Sequence, residues 1–452
     1  MRTLLQKVTI ALGWAGAVTA AIESVKSAAG TVAWNLLKYY TGNNTGDVPG
    51  NLPDPYYWWE AGAMFGTLID YRWLTADKSY DDVISQAMLH QVGDAWDYVP
   101  DNQTLTEGND DQGFWAMAAM SAAEHKFTDP PDDEPQWVAL VQAVFNEYVS
   151  RWDTQHCSGG LRWQIFTWNT GYDYKNAISN GCFFNVASRL ARYTGNETYS
   201  KWAEKVWDWE EKLGLITDDY QVLDGAHFDE KDCNITDSNQ WSYNVGIHLH
   251  GAAVMYNITE SDTWKGRVDG LLQSVNKKFV KDDVIYEQFC ETSKQCNQDQ
   301  QNFKGFLARW LAATTQLAPY TYEAISKLLL SSAKAAVATC TGSPTTDFNG
   351  HAGTACGFTW LSDSFDGLVG VGSQMNALSI IMYTLVDKAT GPVTTKSGGT
   401  SKGDPGGGST DKSADSPTPK YDTITMADKA GAGILTFVIA AGVVAGTAFT
   451  VF

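Results

Sequence analysis

The chain of 452 residues carries 32 Lys and Arg against 52 Asp and Glu, a formal charge of −20, which repels a phosphate backbone and argues against nucleic-acid binding. Aromatic residues make up 12% of it, with 18 Trp and only 13 Pro, a composition that excludes wholesale disorder and supplies ample core material. One large domain or two ordinary ones remain open on length alone.

At the N-terminus, Arg2 and Lys7 precede an apolar stretch from Val8 to Val18 that closes on the small residues Thr19, Ala20 and Ala21. That is the order of a secretory signal. Residues 1–21 are expected to be removed, so that the mature chain starts near Ala21 or Ile22; a buried N-terminal helix is the alternative.

From there to about residue 390 one pattern recurs: an aromatic helix end, a short polar turn, and an aromatic that opens a charged helix. It stands at Trp73 to Tyr80, at Tyr193 to Tyr199 and at Tyr256 to Trp264, with looser versions ending at Trp137 and Tyr322. With a first unit near Ser24 this makes six units of about sixty residues. Each unit pairs an amphipathic helix, as in Tyr199 to Trp209, with one that is apolar nearly all round, as in Phe114 to Met120. The first kind covers a core from outside and the second must be buried. Six such alternations predict an all-α (α/α)6 barrel over residues 22–390, and an open helical solenoid would show the same repeats without closure.

In such a barrel the inner helices run the same way, so their N-termini gather at one mouth. The segments that lead into them contain Tyr57-Trp58-Trp59-Glu60, Asn109-Asp110-Asp111-Gln112, Asn176 to Asn180, Gln240 to Asn244, Gln300 to Lys304 and Val371 to Gln374. They are rich in aromatics, amides and acids, and helix N-termini aim unpaired N–H groups and positive dipole ends at the same place.

Asp110 and Asp111 open one inner helix. Simple capping of the helix is the plain reading of such residues. A glycosidase, however, needs two carboxyls beside the scissile bond, about 5 Å apart when a covalent intermediate forms. Neighbouring acids can work together at a helix start, whereas deep in a helix they diverge by about 100°. Repulsion between them keeps one protonated while the other is ionised. Around the pair, Trp58, Trp59, Trp115 and Tyr243 offer aromatic faces that suit sugar rings, with hydrophobic core as the alternative. Glu60, Asn109, Asn180, Asn244 and Lys304 complete the expected substrate-binding set. His248 and His250 are two apart and point to different helix faces, and no metal-binding or nucleotide-binding spacing occurs. Neither a metal nor a cofactor is called for.

Five Asn-x-Ser/Thr sequons stand at Asn43, Asn102, Asn196, Asn234 and Asn257, in keeping with secretion. Of seven cysteines, the near neighbours Cys290/Cys296 and Cys340/Cys356 are expected to pair, leaving Cys157 for Cys233 and Cys182 free in an apolar helix. Residues 391–429 are expected to be a Gly/Ser/Thr-rich linker. The polar spacer 420–429 and the apolar tail 430–452 make a glycosylphosphatidylinositol (GPI) attachment signal, with attachment among the small residues between Ser409 and Ala427. A plain tail-anchored helix is the alternative.

The segments Gly46 to Gly50 with Tyr57 to Met64, Thr106 to Trp115, and Trp241 to Gly246 resemble glycoside hydrolase family 76, in particular its fungal, membrane-anchored cell-wall members. The resemblance covers Ser24 to about Lys388. It implies an (α/α)6 barrel acting on α-1,6-linked mannose with retention, Asp110 as nucleophile and Asp111 as acid/base. For the fungal members it further implies transfer of a GPI-anchored glycoprotein from the mannose core of its anchor to cell-wall glucan, at the outer face of the plasma membrane.

Overall fold

Outer and inner helices alternate along the chain in a computed structural model, which describes residues 2–228 and 233–408, with side chains from Thr19 onward, and Thr436 beside them. Of the two units into which the chain divides, 1–412 and 413–452, the second is described only at Thr436. In chain order the helices are α1 (Arg2–Leu37), α2 (Trp58–Thr75), α3 (Asp81–His90), α4 (Asn109–Glu124), α5 (Trp137–Ser150), α6 (Ala177–Thr194), α7 (Glu197–Leu213), α8 (Ser242–Thr259), α9 (Asp262–Lys278), α10 (Phe303–Leu317), α11 (Tyr322–Thr339) and α12 (Val371–Met382). α1 is continuous across Ala21.

The odd-numbered helices other than α5 bury one stripe: in α7 this is Tyr199, Ala203, Val206, Trp207, Trp209 and Glu210, the spacing of an amphipathic helix on a core; α5 is buried nearly all round. The even-numbered helices are buried nearly all round. Each packs on the next, α2 on α4, then α6, α8, α10 and α12, and α12 returns to α2. This closure makes an (α/α)6 barrel and not an open solenoid. Glycines allow the approach: a β-carbon at Gly62 would lie 2.8 Å from the Trp115 indole.

The recurrent turn has a local cause. Inner helices end on left-handed residues, Ala76 (φ 64°), Gly195 (φ 74°) and Glu260 (φ 52°), and the outer helices after two of them are capped by Asn196 and Ser261 side chains. These connections are short. The ones at the other end, 38–57, 91–108, 151–176, 214–241, 279–302 and 340–370, are long and form the mouth. They carry an antiparallel sheet of β1 (Tyr174–Asn176), β2 (Gly225–Phe228) and β3 (Cys233–Asp237), and a hairpin of β4 (Val280–Lys281) and β5 (Val284–Ile285). Three disulfides, Cys157–Cys233, Cys290–Cys296 and Cys340–Cys356, staple the mouth loops, and Cys182 is free and buried in α6, as expected. Away from the mouth the barrel interior holds the buried ion pairs Asp70–Arg309 (2.8 Å) and Glu124–Arg189 (2.6 Å).

One boundary differs from the sequence reading. Residues 391–408 are not a free linker but a strap on the barrel. The backbone N–H of Val393 donates to the Glu124 carbonyl and that of Thr395 to the Tyr193 carbonyl. Arg192 donates to the Pro392 carbonyl (2.8 Å), the Ser401 hydroxyl accepts from the Val138 N–H (3.0 Å), and Asn146 donates to the carbonyls of Pro405 and Gly407. The strap therefore starts at the end away from the mouth and climbs the outside of α5. The expected attachment segment 409–427 lies outside the described residues, as does the tail 430–452 apart from Thr436. Among the described residues no helix is long and apolar enough to cross a membrane.

Candidate active site

At the start of α4 the backbone of Gly108 is extended (φ −98°, ψ 164°) and Asp110 and Asp111 follow in the first helical turn. They are the two residues of α4 that keep partial exposure, the rest being buried. The Asp111 carboxylate reaches back to accept the Gly108 N–H at 2.6 Å, half of a capping box. A β-carbon on Gly108 would lie 2.5 Å from Oδ1 of Asp110 and 3.2 Å from Oδ2 of Asp111. The two carboxyls thus meet across the bare glycine, within about 6 Å of each other, in the range of a retaining pair. Capping and pairing are met by the same residues.

Both carboxyls are pushed up. Burial raises Asp111 to about 7 against the pull of the Gly108 N–H, with the charge of Asp299 adding to the rise. Burial and then the charge of Asp111 hold Asp110 well above the usual carboxylate range. Burial and the mutual repulsion of the two carboxyls thus oppose carrying both charges at once.

Behind the pair stands a polar layer from α5. The Tyr148 hydroxyl donates to the Asn109 carbonyl (2.6 Å), and Arg151 donates to the side chains of Asn109 (3.0 Å), Gln112 (2.6 Å) and Glu147 (2.8 Å). Gln112 donates in turn to Glu147 (2.7 Å) and to the Asp97 carbonyl (2.7 Å). Asp97 is raised to about 8 by burial and then by the charge of Glu147. Glu107 is 1% exposed and neither of its carboxyl oxygens has a hydrogen-bond partner; burial pushes it well above its ordinary value. From the α6 side, the carbonyls of Trp163 and Arg162 accept from the backbone and side chain of Asn109.

Of the other residues singled out in the sequence, Tyr243 and Trp59 are linked to the pair and Trp58 lies on the neighbouring start of α2. Tyr243 is partly exposed, stacks on Phe303 (3.8 Å between centroids) and feels the charges of Asp224, Asp110 and Asp299. Trp59 donates its indole N–H to Asp299 (3.1 Å) and packs on Phe114 (4.8 Å). Trp58 donates to Gln91 (2.8 Å) and stacks on Trp115.

Like Trp59, the remaining six are buried. Glu60 accepts from the Tyr57 N–H (2.8 Å), Gln298 (2.9 Å) and Asn302 (2.8 Å), tying α2 to the loop before α10. Asn109 is held as above. Asn180 exchanges hydrogen bonds with the backbone of Leu161 (2.7 and 3.1 Å), and Asn244 donates to Asp224 (3.2 Å). Lys304 donates to Glu291 (2.8 Å) and the Phe358 carbonyl. Trp115 lies beneath Trp58 in the core. Buried polar groups need such partners, and here they fix the mouth loops. The sequence reading missed Asp299, Asp224, Glu107 and Trp163, all in long loops; only the acidity of Thr106-Glu107-Gly108-Asn109-Asp110-Asp111 pointed to one of them.

A closed ring of inner helices with a close carboxyl pair at its mouth has the architecture of a helical-barrel glycoside hydrolase. The profile of glycosyl hydrolase family 76 matches residues 24–396, and the chain belongs to that family. It is 46% identical over 432 residues to mannan endo-1,6-alpha-mannosidase DCW1 of Saccharomyces cerevisiae, covering 95% of this chain and 94% of that one. It is 41% identical to the DFG5 enzyme of the same name and yeast, covering 96% and 93%. The crystal structure of Dfg5 from Chaetomium thermophilum in complex with glucosamine is similar with a TM-score of 0.79, at 47% identity, over 85% of this chain and 95% of that one. An α-1,6-mannanase from Salegentibacter shares the fold at 19% identity (TM-score 0.62, 80% of this chain and 98% of that one) and has also been solved as an inactive variant, two consecutive aspartates changed to alanine, with α-1,6-mannotetrose bound.

Proposed function

We propose that the protein cleaves α-1,6-mannosidic bonds with retention, using Asp110 and Asp111, and passes the mannosyl unit to a sugar hydroxyl. The observation that carries this reading is the meeting of the two carboxyls across Gly108 at the only open positions of α4. The names of the yeast relatives and the inactive Salegentibacter variant support the substrate and the pair.

Oδ1 of Asp110 is buried and has no hydrogen-bond partner, and in this reading the Asp110 carboxylate attacks the anomeric carbon once substrate is seated. Asp111 has Oδ2 tied to Gly108 and Oδ1 left to carry the proton. As the ester forms on Asp110, the glycosidic C–O bond breaks and the Asp111 proton goes to the leaving oxygen. An acceptor hydroxyl then gives its proton to Asp111 and displaces Asp110 from the sugar. Tyr243, Trp58 and Trp59 line the donor site. The donor is the mannose core of a GPI glycan and the acceptor a cell-wall glucan, on a secreted chain held at the plasma membrane by its own GPI anchor.

Asp110→Asn and Asp111→Asn should each abolish turnover of an α-1,6-mannoside while helical circular dichroism and melting stay nearly unchanged. An activated fluoromannoside should leave a mannosyl adduct on Asp110, located by peptide mass spectrometry; full turnover by either variant, or an adduct elsewhere, overturns the assignment. Incubation with a mannoside and a glucan oligosaccharide separates transfer, which yields a hybrid product by mass, from hydrolysis. A non-catalytic lectin, by contrast, would bind without the aspartates and form no adduct.

A further inference from the structure

Exposed aromatic rings collect on the mouth loops. Tyr57, Trp96, Trp168 and Phe289 are the large aromatics exposed there, on the lead-ins to α2, α4, α6 and α10. Exposed apolar groups gathered at one end of a fold mark a binding face more often than chance. Trp168 differs from the rest in how it is mounted. Its indole is stacked on Phe166, with centroids 4.9 Å apart and planes 18° from parallel, while Phe166 itself is 5% exposed and Trp168 is 42% exposed. One face of the indole is thus covered and backed by the core, and the other is open to solvent.

The loop that carries it is also the wall of the carboxyl pair. Gly108 and Gln164 form an isolated β-bridge, the Ile165 N–H donates to the Glu107 carbonyl (3.3 Å), and Gln164 accepts from Asn169 (2.9 Å), closing the loop around Trp168. Trp168 is four positions on from Gln164, so its α-carbon stands no more than about 14 Å from that of Gln164 even at full extension. That is a reach of a few sugar rings. A rigid, one-faced aromatic at such a distance has the geometry to hold a pyranose by its C–H face, a contact that is apolar and tolerant of which hydroxyls point outward.

We propose that Trp168, backed by Phe166, is an outer subsite that stacks a pyranose ring of the bound glycan beyond the bond being cleaved. The proposal rests on the glycosidase reading above for the position of that bond. Mannoside donor and glucan acceptor share the pyranose chemistry, and experiment distinguishes them.

The test uses the secreted full chain with Trp168→Ala, and Leu330→Ala, an exposed change on α11, as a control. Rates are compared on α-1,6-mannobiose and α-1,6-mannotetraose, and binding of mannotetraose and laminaritetraose is measured by calorimetry. Trp168→Ala should lower kcat/KM for the tetraose relative to the biose by about tenfold, the scale of one aromatic contact, while Leu330→Ala leaves the ratio alone. If weakened binding is confined to laminaritetraose, the platform serves the acceptor. Unchanged length preference together with unchanged binding of both sugars overturns the subsite. Should wild-type protein turn over no mannoside, the glycosidase reading fails, yet tetraose binding weakened by Trp168→Ala would still support the platform; no binding of either sugar to wild type overturns it.

Discussion

Gly108 gives its backbone N–H to Asp111 and turns its bare α-carbon toward Asp110, so one residue without a side chain sets the spacing of both carboxyls. Gly108→Ala places a methyl 2.5 Å from Asp110 Oδ1 and 3.0 Å from the Trp163 carbonyl. The pair must spread. Displacements of this size cost on the order of 10²-fold in rate, and the loss is expected in kcat with KM little changed. Steady-state kinetics on an α-1,6-mannoside checks it, and a wild-type kcat would show that the spacing is not critical.

Asp97 links stability to pH. Its carboxyl is raised to about 8, first by burial and then by Glu147, from an unfolded value near about 4. A carboxyl raised in the folded chain binds its proton more tightly there, so its contribution is complete below the unfolded value and declines as pH climbs toward 8. Tm should fall across that window and level off above it. Asp97→Asn retains a donor toward Glu147 and should flatten the profile; parallel Tm curves for wild type and variant would remove Asp97 as the cause.

Lys304 tests the distinction between site and scaffold. Its ammonium is buried against Glu291 (2.8 Å) and between the rings of Phe358 and Trp360. Lys304→Met strands the Glu291 charge, and removal of one partner from a buried ion pair costs about 3–5 kcal/mol. Denaturant melts should show that loss, while kcat/KM of the protein that remains folded should stay within about twofold, less than the tenfold that 1.4 kcal/mol would bring. A selective loss of KM would return Lys304 to the substrate.

The strap can be removed in two ways. A chain ending at 390 loses the hydrogen bonds of Val393, Thr395, Ser401, Pro405 and Gly407 to the barrel, and one ending at 412 keeps them all. The shorter chain should melt earlier, by differential scanning fluorimetry, and the longer should match the full mature chain. Equal melting would reduce the strap to a passive contact.

How far the sequence carried depended on the range of the interactions. The barrel was legible because its repeat is local: an αL residue ends an inner helix, an Asn or Ser caps the outer one, and the apolar period changes from one helix to the next. Asp110 and Asp111 stood out because they are adjacent. Glu60, Asn180 and Lys304 show why residue type alone does not assign a ligand contact, since a helix start uses the same amides, acids and cations for capping and cross-loop bracing as for ligands. Asp299 and Trp163 reach the pair through folding of loops that lie far from it in sequence. The strap was hidden by its composition, because Gly, Ser and Thr offer little apolar side chain to a core and 391–408 is held by backbone groups together with the Ser401 and Thr395 hydroxyls.

The course of that strap has a mechanical meaning. It is fastened to α5 at Val138 and again at Asn146, and the end of the same helix presents Glu147, Tyr148 and Arg151 to the residues that flank the carboxyl pair. Tension on the chain beyond residue 408 enters the barrel through α5, the strut behind Asp110 and Asp111. A pull from the C-terminal side would be felt at the carboxyl pair, whereas one from α1, seated on α12, would reach it only by way of other helices.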